Sequence, residues 1–188
     1  PAKVKLLAAV ILTDPIRKND QETIQYFYKQ GVDVKVISGD DPTTVAAVAK
    51  RAGIKNAHMA VDMTKIRDDE IEEAAQKYTV FGRVTPNQKK LLVSAMQNAG
   101  RNVAMTGDGV NDLLAMKQAN CSIAVGQGSD AARQTAQLVL LDSDFSVLRN
   151  VIAEGRRVIN NLTKSAGVFF IKTIYSVLIS ILCIILNT

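Results

Sequence analysis

Short runs rich in Val, Ile, Leu and Ala recur through the first 148 residues, with helix-period stretches between them. Near-continuous apolar runs suit strands buried on both faces, so strands are predicted over Leu6 to Leu12, Val32 to Ile37, Thr79 to Gly82, Asn102 to Met105, Ser122 to Val125 and Leu138 to Leu141. Helices are predicted over Asp20 to Lys29, Thr43 to Arg51, Asp68 to Gln76, Pro86 to Gln97, Asp112 to Lys117 and Ser129 to Gln134, with Gly31, Gly53 and Gly100 as stops after three of them. Strands that alternate with helices in this way imply an α/β fold, a parallel sheet with helices on both faces. Ligands of such sheets sit beyond the carboxyl ends of the strands, so chemistry is expected in the loops that follow them.

The last part of the chain has a different character. Between Ala166 and Leu186 the only charge is Lys172, and 16 of those 21 residues are apolar. A run of about 20 apolar residues is long enough to cross a bilayer core. Arg156, Arg157 and Lys164 precede it and mark the cytoplasmic side, which places residues 1–165 in the cytoplasm; a buried C-terminal core helix is the alternative. Lys172, early in the run, is expected to snorkel to the interface, with a place facing an ion path as the alternative.

Charge and cysteine usage exclude several functions. The chain carries 23 Lys plus Arg against 18 Asp plus Glu, and the excess falls after Leu148, so the body is nearly neutral. Without a basic face or interleaved aromatics, no nucleic-acid partner is expected. His58 is the only histidine, and Cys121 and Cys183 lie far apart, which argues against zinc sites, disulfide frameworks and His-dependent nucleophilic catalysis.

Four strand-end loops carry the candidate chemistry. Ser38-Gly39-Asp40 can offer a hydroxyl and backbone N–H groups to an anion, or can form an Asx-type turn that caps the next helix. Thr106-Gly107-Asp108-Gly109-Val110-Asn111-Asp112 sets two carboxylates and an amide among glycines that permit close backbone approach. That arrangement suits a Mg²⁺ ion that keeps several waters and shares a phosphate. In Arg83-Val84-Thr85-Pro86-Asn87-Gln88-Lys89, Pro86 fits a first helical turn, and Lys89 one turn further on could meet phosphoryl oxygens as a point charge. Asp14, in the fourth loop, has Ile16 where a second carboxylate would stand, and reads as structural.

Taken in order, DPIR at 14–17, ISGDDPTTVAAVAKRAGI at 37–54, FGRVTPNQKK at 81–90 and TGDGVND at 106–112 resemble the phosphorylation domain of P-type ATPases. These are ion pumps built on the haloacid dehalogenase-like fold, a Rossmann-like parallel sheet with helices on both faces. The segment from Ser122 to Ser165 resembles their exit along a stalk helix into the membrane, and the exit sequence is similar to bacterial pumps of the cation-transporting ATPase E type.

The resemblance implies ATP and Mg²⁺ as cofactors, a transported cation and membrane lipid as partners, and a role for each matching residue. Asp108 would ligate Mg²⁺. Asn111 and Asp112 would support the phosphoryl group and Lys89, and Lys89 would neutralise phosphoryl oxygens. Ser38 and Gly39, with Thr106 and Gly107, would hold phosphate, and Arg83 would touch nucleotide phosphate. It also divides the chain into a phosphorylation-domain portion (1–148), a stalk helix (149–165) and the start of a membrane helix (166–188).

The family forms its aspartyl-phosphate on a DKTGT motif, and none occurs here. The chain is therefore expected to be part of a longer pump and to be inactive alone. Ser38 replaces the usual Thr and keeps the hydroxyl, while Leu113-Leu114 replaces the usual Ala-Pro. The competing expectations are a soluble phosphatase of the same superfamily, which would need Asp14 as nucleophile, and a catalytically dead, membrane-anchored module that binds phosphate or Mg²⁺.

Overall fold

Val80 and Phe81 are adjacent, fully buried, and packed into different clusters, because successive side chains of a strand point to opposite faces. Around that strand the chain builds its first sheet. The computed structural model describes residues 18–141 and 144–186. Its elements run α1 Lys18–Lys29, β1 Val36–Ile37, α2 Pro42–Arg51, β2 Ala60–Asp62, α3 Ile71–Lys77, β3 Val80–Gly82, α4 Pro86–Asn98, β4 Ala104–Gly107, α5 Leu113–Gln118, β5 Cys121–Val125, α6 Asp130–Thr135, β6 Leu138–Leu140 and α7 Leu148–Leu186.

All described strand pairs are parallel. They form two three-stranded sheets, ordered β1-β3-β2 and β4-β5-β6. Val36 pairs with Val80, Ala60 also pairs with Val80, and Ala104 pairs with Cys121. Among the described residues, β1 and β4 therefore each have a partner on one side only. The α/β class with parallel strands and helices agrees with the sequence expectation.

Helices cover both faces of the first sheet. Phe81 packs with Met63, Ile71, Leu92 and Ala95 on one side, and Val80 packs with Ile24, Val45, Ala49 and Ile54 on the other. Helix α4 also serves the second sheet, since Val93 joins Met105, Ala115, Met116 and Ala124. Each buried aliphatic side chain contributes about 1.5–3 kcal/mol, so these clusters supply the main drive for the fold.

The helix ends follow local chemistry. Asp41 caps α2 by accepting from the Thr43 N–H, with Pro42 as the first helical residue. Thr85 and Gln88 form a reciprocal capping box at the start of α4, again ahead of a proline. The chain leaves α1, α2 and α4 through Gly31, Gly53 and Gly100 at φ 75°, 85° and 77°, left-handed values that glycine adopts without steric penalty.

The expected strand over Val32 to Ile37 shortens to Val36–Ile37, because Val32 is exposed and only residues 36 and 37 find strand partners. The segment expected as a helix from Asp68 opens with a 3₁₀ turn, Asp68–Glu70, before α3. Strand β2 does not stand out in the sequence pattern. The expected strand over Leu6 to Leu12 and the loop that contains Asp14 lie outside the described residues.

The described residues up to Ser146 form one compact unit, and those from Val147 onward a second. The second unit is dominated by α7, 39 residues without a break. The segment Phe145–Leu186 is long and apolar enough to cross a membrane, and its most apolar window has no buried share. Within it the hydroxyls of Thr163, Thr173 and Ser180 donate to the carbonyls of Ile159, Phe169 and Ser176 at 2.9, 2.9 and 3.0 Å. These polar groups are thereby satisfied inside their own helix, which for Thr173 and Ser180 is what a hydrocarbon environment would require.

Candidate functional site

The carboxyl end of β1 and the carboxyl end of β4 open into one cavity of about 480 Å³. This is where a parallel α/β sheet is expected to bind ligands. Seven of the nine residues singled out from the sequence line it: Ser38, Gly39, Lys89, Thr106, Gly107, Asp108 and Asp112. Asn111 is exposed in the turn Val110–Asp112 and is not among the lining residues, and neither is Arg83.

At the centre of the β4 side is an ion pair. Lys89, from the first turn of α4, donates from Nζ to Asp112 Oδ1 at 2.7 Å, and the two residues are 9% and 8% exposed. Asp112 Oδ2 accepts from the backbone N–H groups of Asp108 and Gly109 at 3.3 and 3.4 Å. Removing both charges from water offsets much of their mutual attraction, so the pair chiefly orients the groups rather than stabilising the fold. Asp112 in this way ties the ammonium to the loop that carries Asp108.

Two glycines make that loop possible. A Cβ on Gly107 would lie 2.5 Å from Asp112 Cβ and 2.9 Å from Met116 Sδ, and one on Gly128 would lie 2.7 Å from the Asp108 carbonyl oxygen. That same carbonyl accepts from the Ser129 N–H at 2.7 Å. The β5–α6 turn thus braces Asp108 from behind, a support with no recognisable motif in the sequence.

The Asp108 side chain is exposed and makes no hydrogen bond or ion pair to another described residue. Among the described residues no three His, Cys, Asp or Glu gather into a ready-made metal cage. Mg²⁺ does not need one, because it is commonly held by one or two carboxylates with waters and substrate phosphate. Asp108 fits that requirement, and both Asp112 oxygens are already engaged.

The β1 side is built differently. Ser38 Oγ donates to Asp40 Oδ2 at 3.3 Å and accepts from the Asp40 N–H at 3.2 Å, an arrangement that keeps the hydroxyl at the cavity wall. A Cβ on Gly39 would meet nothing within 4 Å, so the fold itself makes no steric demand for glycine there. Asp40 also lines the cavity, a position that the sequence reading did not single out.

Behind this loop, Arg83 reaches Asp41 Oδ2 at 2.8 Å and Asp62 Oδ2 at 3.1 Å. The Thr43 backbone N–H, then the Thr43 side chain and the Arg83 guanidinium, hold the Asp41 carboxyl below its ordinary value. For Asp62 the Thr64 side chain contributes most, followed by the Thr64 backbone N–H and Arg83. Neither Asp41 nor Asp62 was legible as part of the site, because Arg83 joins them across 42 and 21 residues of sequence.

Known proteins resemble this chain in sequence and in fold. The chain is 47% identical over 184 residues to the probable cation-transporting ATPase exp7 of Streptococcus pneumoniae, an alignment that covers 98% of this chain and 24% of that protein. It is 46% identical over 182 residues to the calcium-transporting ATPase CtpE of Mycobacterium bovis, with 97% and 23% covered. It thus spans about a quarter of the length of these curated relatives. Among solved structures, a zinc-transporting PIB-type ATPase in an E2.Pi state superposes with TM-score 0.63 and 26% identity, over 80% of this chain and 21% of that one. The model of the haloacid dehalogenase-like hydrolases matches residues 1–120, and the chain, similar over nearly all its length to cation-transporting P-type ATPases, belongs to that haloacid dehalogenase-like family.

Proposed function

We propose that this chain is the later portion of the phosphorylation domain of an ATP-driven cation pump, followed by a stalk and the start of a membrane helix. The observation that carries this reading is the convergence of Ser38, Gly39, Lys89, Asp108 and Asp112 on one cavity at two strand ends. Phosphoryl transfer asks little of a protein beyond positioning and charge stabilisation, and these groups supply both.

In this reading a carboxylate nucleophile comes from a part of the pump outside the described residues. The strand that carries it would lie beside β1 and β4, each of which has a partner on one side only among the described residues. The phosphoryl group then sits between the two loops. Lys89, held by Asp112, neutralises one of its oxygens, and Ser38 Oγ with the Gly39 N–H takes another. Thr106 and Gly107 line the opposite wall. Asn111 supports the group from the turn, and nucleotide phosphate is the contact assigned by resemblance to Arg83. A Mg²⁺ ion on Asp108 would supply charge neutralisation for the phosphoryl oxygens. Residues 1–165 are assigned to the cytoplasmic side, where ATP is available, and α7 carries the chain into the membrane lipid.

The transported species is a cation, and calcium is the one named for CtpE. Replacement of Asp108 by Asn in the full-length polypeptide is expected to abolish formation of acid-stable phosphoenzyme from radiolabelled ATP while circular dichroism stays native. Normal phosphoenzyme levels in that variant would overturn the reading.

A further inference from the structure

Lys89 is held at its tip by Asp112, and a different residue holds it at its root. Its side chain springs from the first turn of α4, and helix ends fray unless groups outside the ladder secure them. The local requirement is met by a capping box. The Thr85 N–H and hydroxyl donate to Gln88 Oε1 at 3.1 and 3.2 Å, and the Gln88 N–H donates to Thr85 Oγ at 3.3 Å. Glutamate closes such a box equally well and suits the helix dipole, so the box alone does not call for an amide.

The other half of the amide does. Gln88 Nε2 donates to the Met63 carbonyl at 3.1 Å, 25 residues away in sequence. Met63 is fully buried and opens the 3₁₀ turn Met63–Lys65 that follows β2. Inside that turn the same carbonyl receives a longer bond, 3.4 Å from the Ile66 N–H. The amide can stand only this way round, because the reverse would set its NH₂ against the Thr85 N–H and its oxygen against the Met63 carbonyl. A carboxylate would face that carbonyl with no hydrogen to donate. At the far end of α4, Gln97 Nε2 donates to the Gln118 carbonyl at 2.9 Å and to Asn120 Oδ1 at 3.0 Å. The helix is thus fastened to the exit of β2 at one end and to the α5–β5 turn at the other.

We infer that Gln88 is a positioning residue, whose amide staples the first turn of α4 to the Met63 carbonyl and so fixes the root of Lys89 for its work on phosphoryl oxygens. This inference rests on the pump reading for its link to phosphate, while the staple itself stands on geometry alone.

The experiment has two arms in the full-length polypeptide. The first is amide hydrogen exchange without phosphate, read at Lys89, whose N–H donates to the Thr85 carbonyl at 2.9 Å. Gln88→Met keeps the length of the side chain, adds no charge and removes box and staple together. Gln88→Glu keeps the box and removes the staple alone. Exchange at Lys89 is expected to quicken about fivefold in both, the equivalent of one neutral hydrogen bond, with Val103 unmoved at the other end of the helix. Wild-type exchange in Gln88→Glu would mean that the box suffices, and the inference falls.

The second arm uses inorganic phosphate with Mg²⁺, which phosphorylates such a site by reversal of hydrolysis, with release of water. Gln88→Met is expected to raise the half-saturating phosphate concentration about fivefold while the maximal level of phosphoenzyme stays the same. A residue that served the fold alone would lower the maximal level and leave the half-saturating concentration where it was, and that result also overturns the inference. Should the unaltered protein take label from neither ATP nor phosphate, the pump reading falls and the link to phosphate falls with it, and exchange at Lys89 alone then upholds or overturns the staple.

Discussion

The two walls of the cavity hold their loops by opposite means. On the β4 side the loop is locked from inside, through the buried Lys89–Asp112 pair, the contact of Gly107 with Asp112, and the brace from Gly128 and Ser129. On the β1 side the loop is open, with nothing near Gly39, and is held from outside by an exposed arginine and two carboxylates. A buried pair tolerates no loss of one partner, whereas an exposed pair is worth about 0–1 kcal/mol. The contrast implies that the β4 wall couples site geometry to fold stability and that the β1 wall keeps them apart.

Removal of one member of the buried pair should have the largest effect. Asp112→Ala leaves the Lys89 ammonium without its partner and is expected to destabilise the chain by about 3 kcal/mol, read from denaturant unfolding. A loss below about 1 kcal/mol would mean that the β4 wall is no stiffer than an exposed pair.

The glycines sharpen the contrast next. Gly107→Ala forces a methyl against Asp112 and is expected to lose about 1–3 kcal/mol. Gly39→Ala meets open space and should change stability by less than about 0.5 kcal/mol. In the full-length protein the same Gly39→Ala change should nevertheless weaken use of inorganic phosphate, because the methyl enters the cavity wall. Equal destabilisation by the two substitutions would erase the distinction.

The smallest effect concerns pH. The Asp41 and Asp62 carboxyls are lowered in the folded state, so their contribution is complete above the ordinary carboxylate value of about 3.9 and is lost only as pH falls through the lower, folded values. Exchange at Thr43 and Thr64 should therefore stay constant from pH 7 to about 4, after correction for intrinsic rates, and rise only below that. A rise that begins near pH 5 would mean that the cap and the bridge do not hold these carboxyls ionised.

Much of this was legible in the sequence where local chemistry dominates. Pro86 after Thr85, Pro42 after Asp41, and the glycines at 31, 53 and 100 mark helix ends because capping is decided within a few residues. The loop Thr106 to Asp112 announced its carboxylates by their spacing. What stayed hidden was non-local. Strand β2, Ala60–Asp62, has three half-buried residues and no alternation long enough to register, and exists because β3 offers it a parallel edge. The bracing of Asp108 by Ser129 and the bridge from Arg83 to Asp62 join residues 21 positions apart, contacts that only the folded sheet order creates.

Helix α7 has a mechanical side. Its 39 residues, at about 1.5 Å each, make a rod of roughly 58 Å, and a hydrocarbon core would take up only about 30 Å of that length. No proline interrupts its hydrogen-bond ladder. Each turn is bonded to the next, so a push or twist applied near Leu148 has no joint in which to dissipate and must emerge at Leu186. The most compliant points along the way are Gly155 and Gly167, each with no neighbour within 4 Å of where a side chain would stand and the weakest helix preference in its turn. Stiffness in this part of the molecule can thus be adjusted one residue at a time, without any change to the cavity.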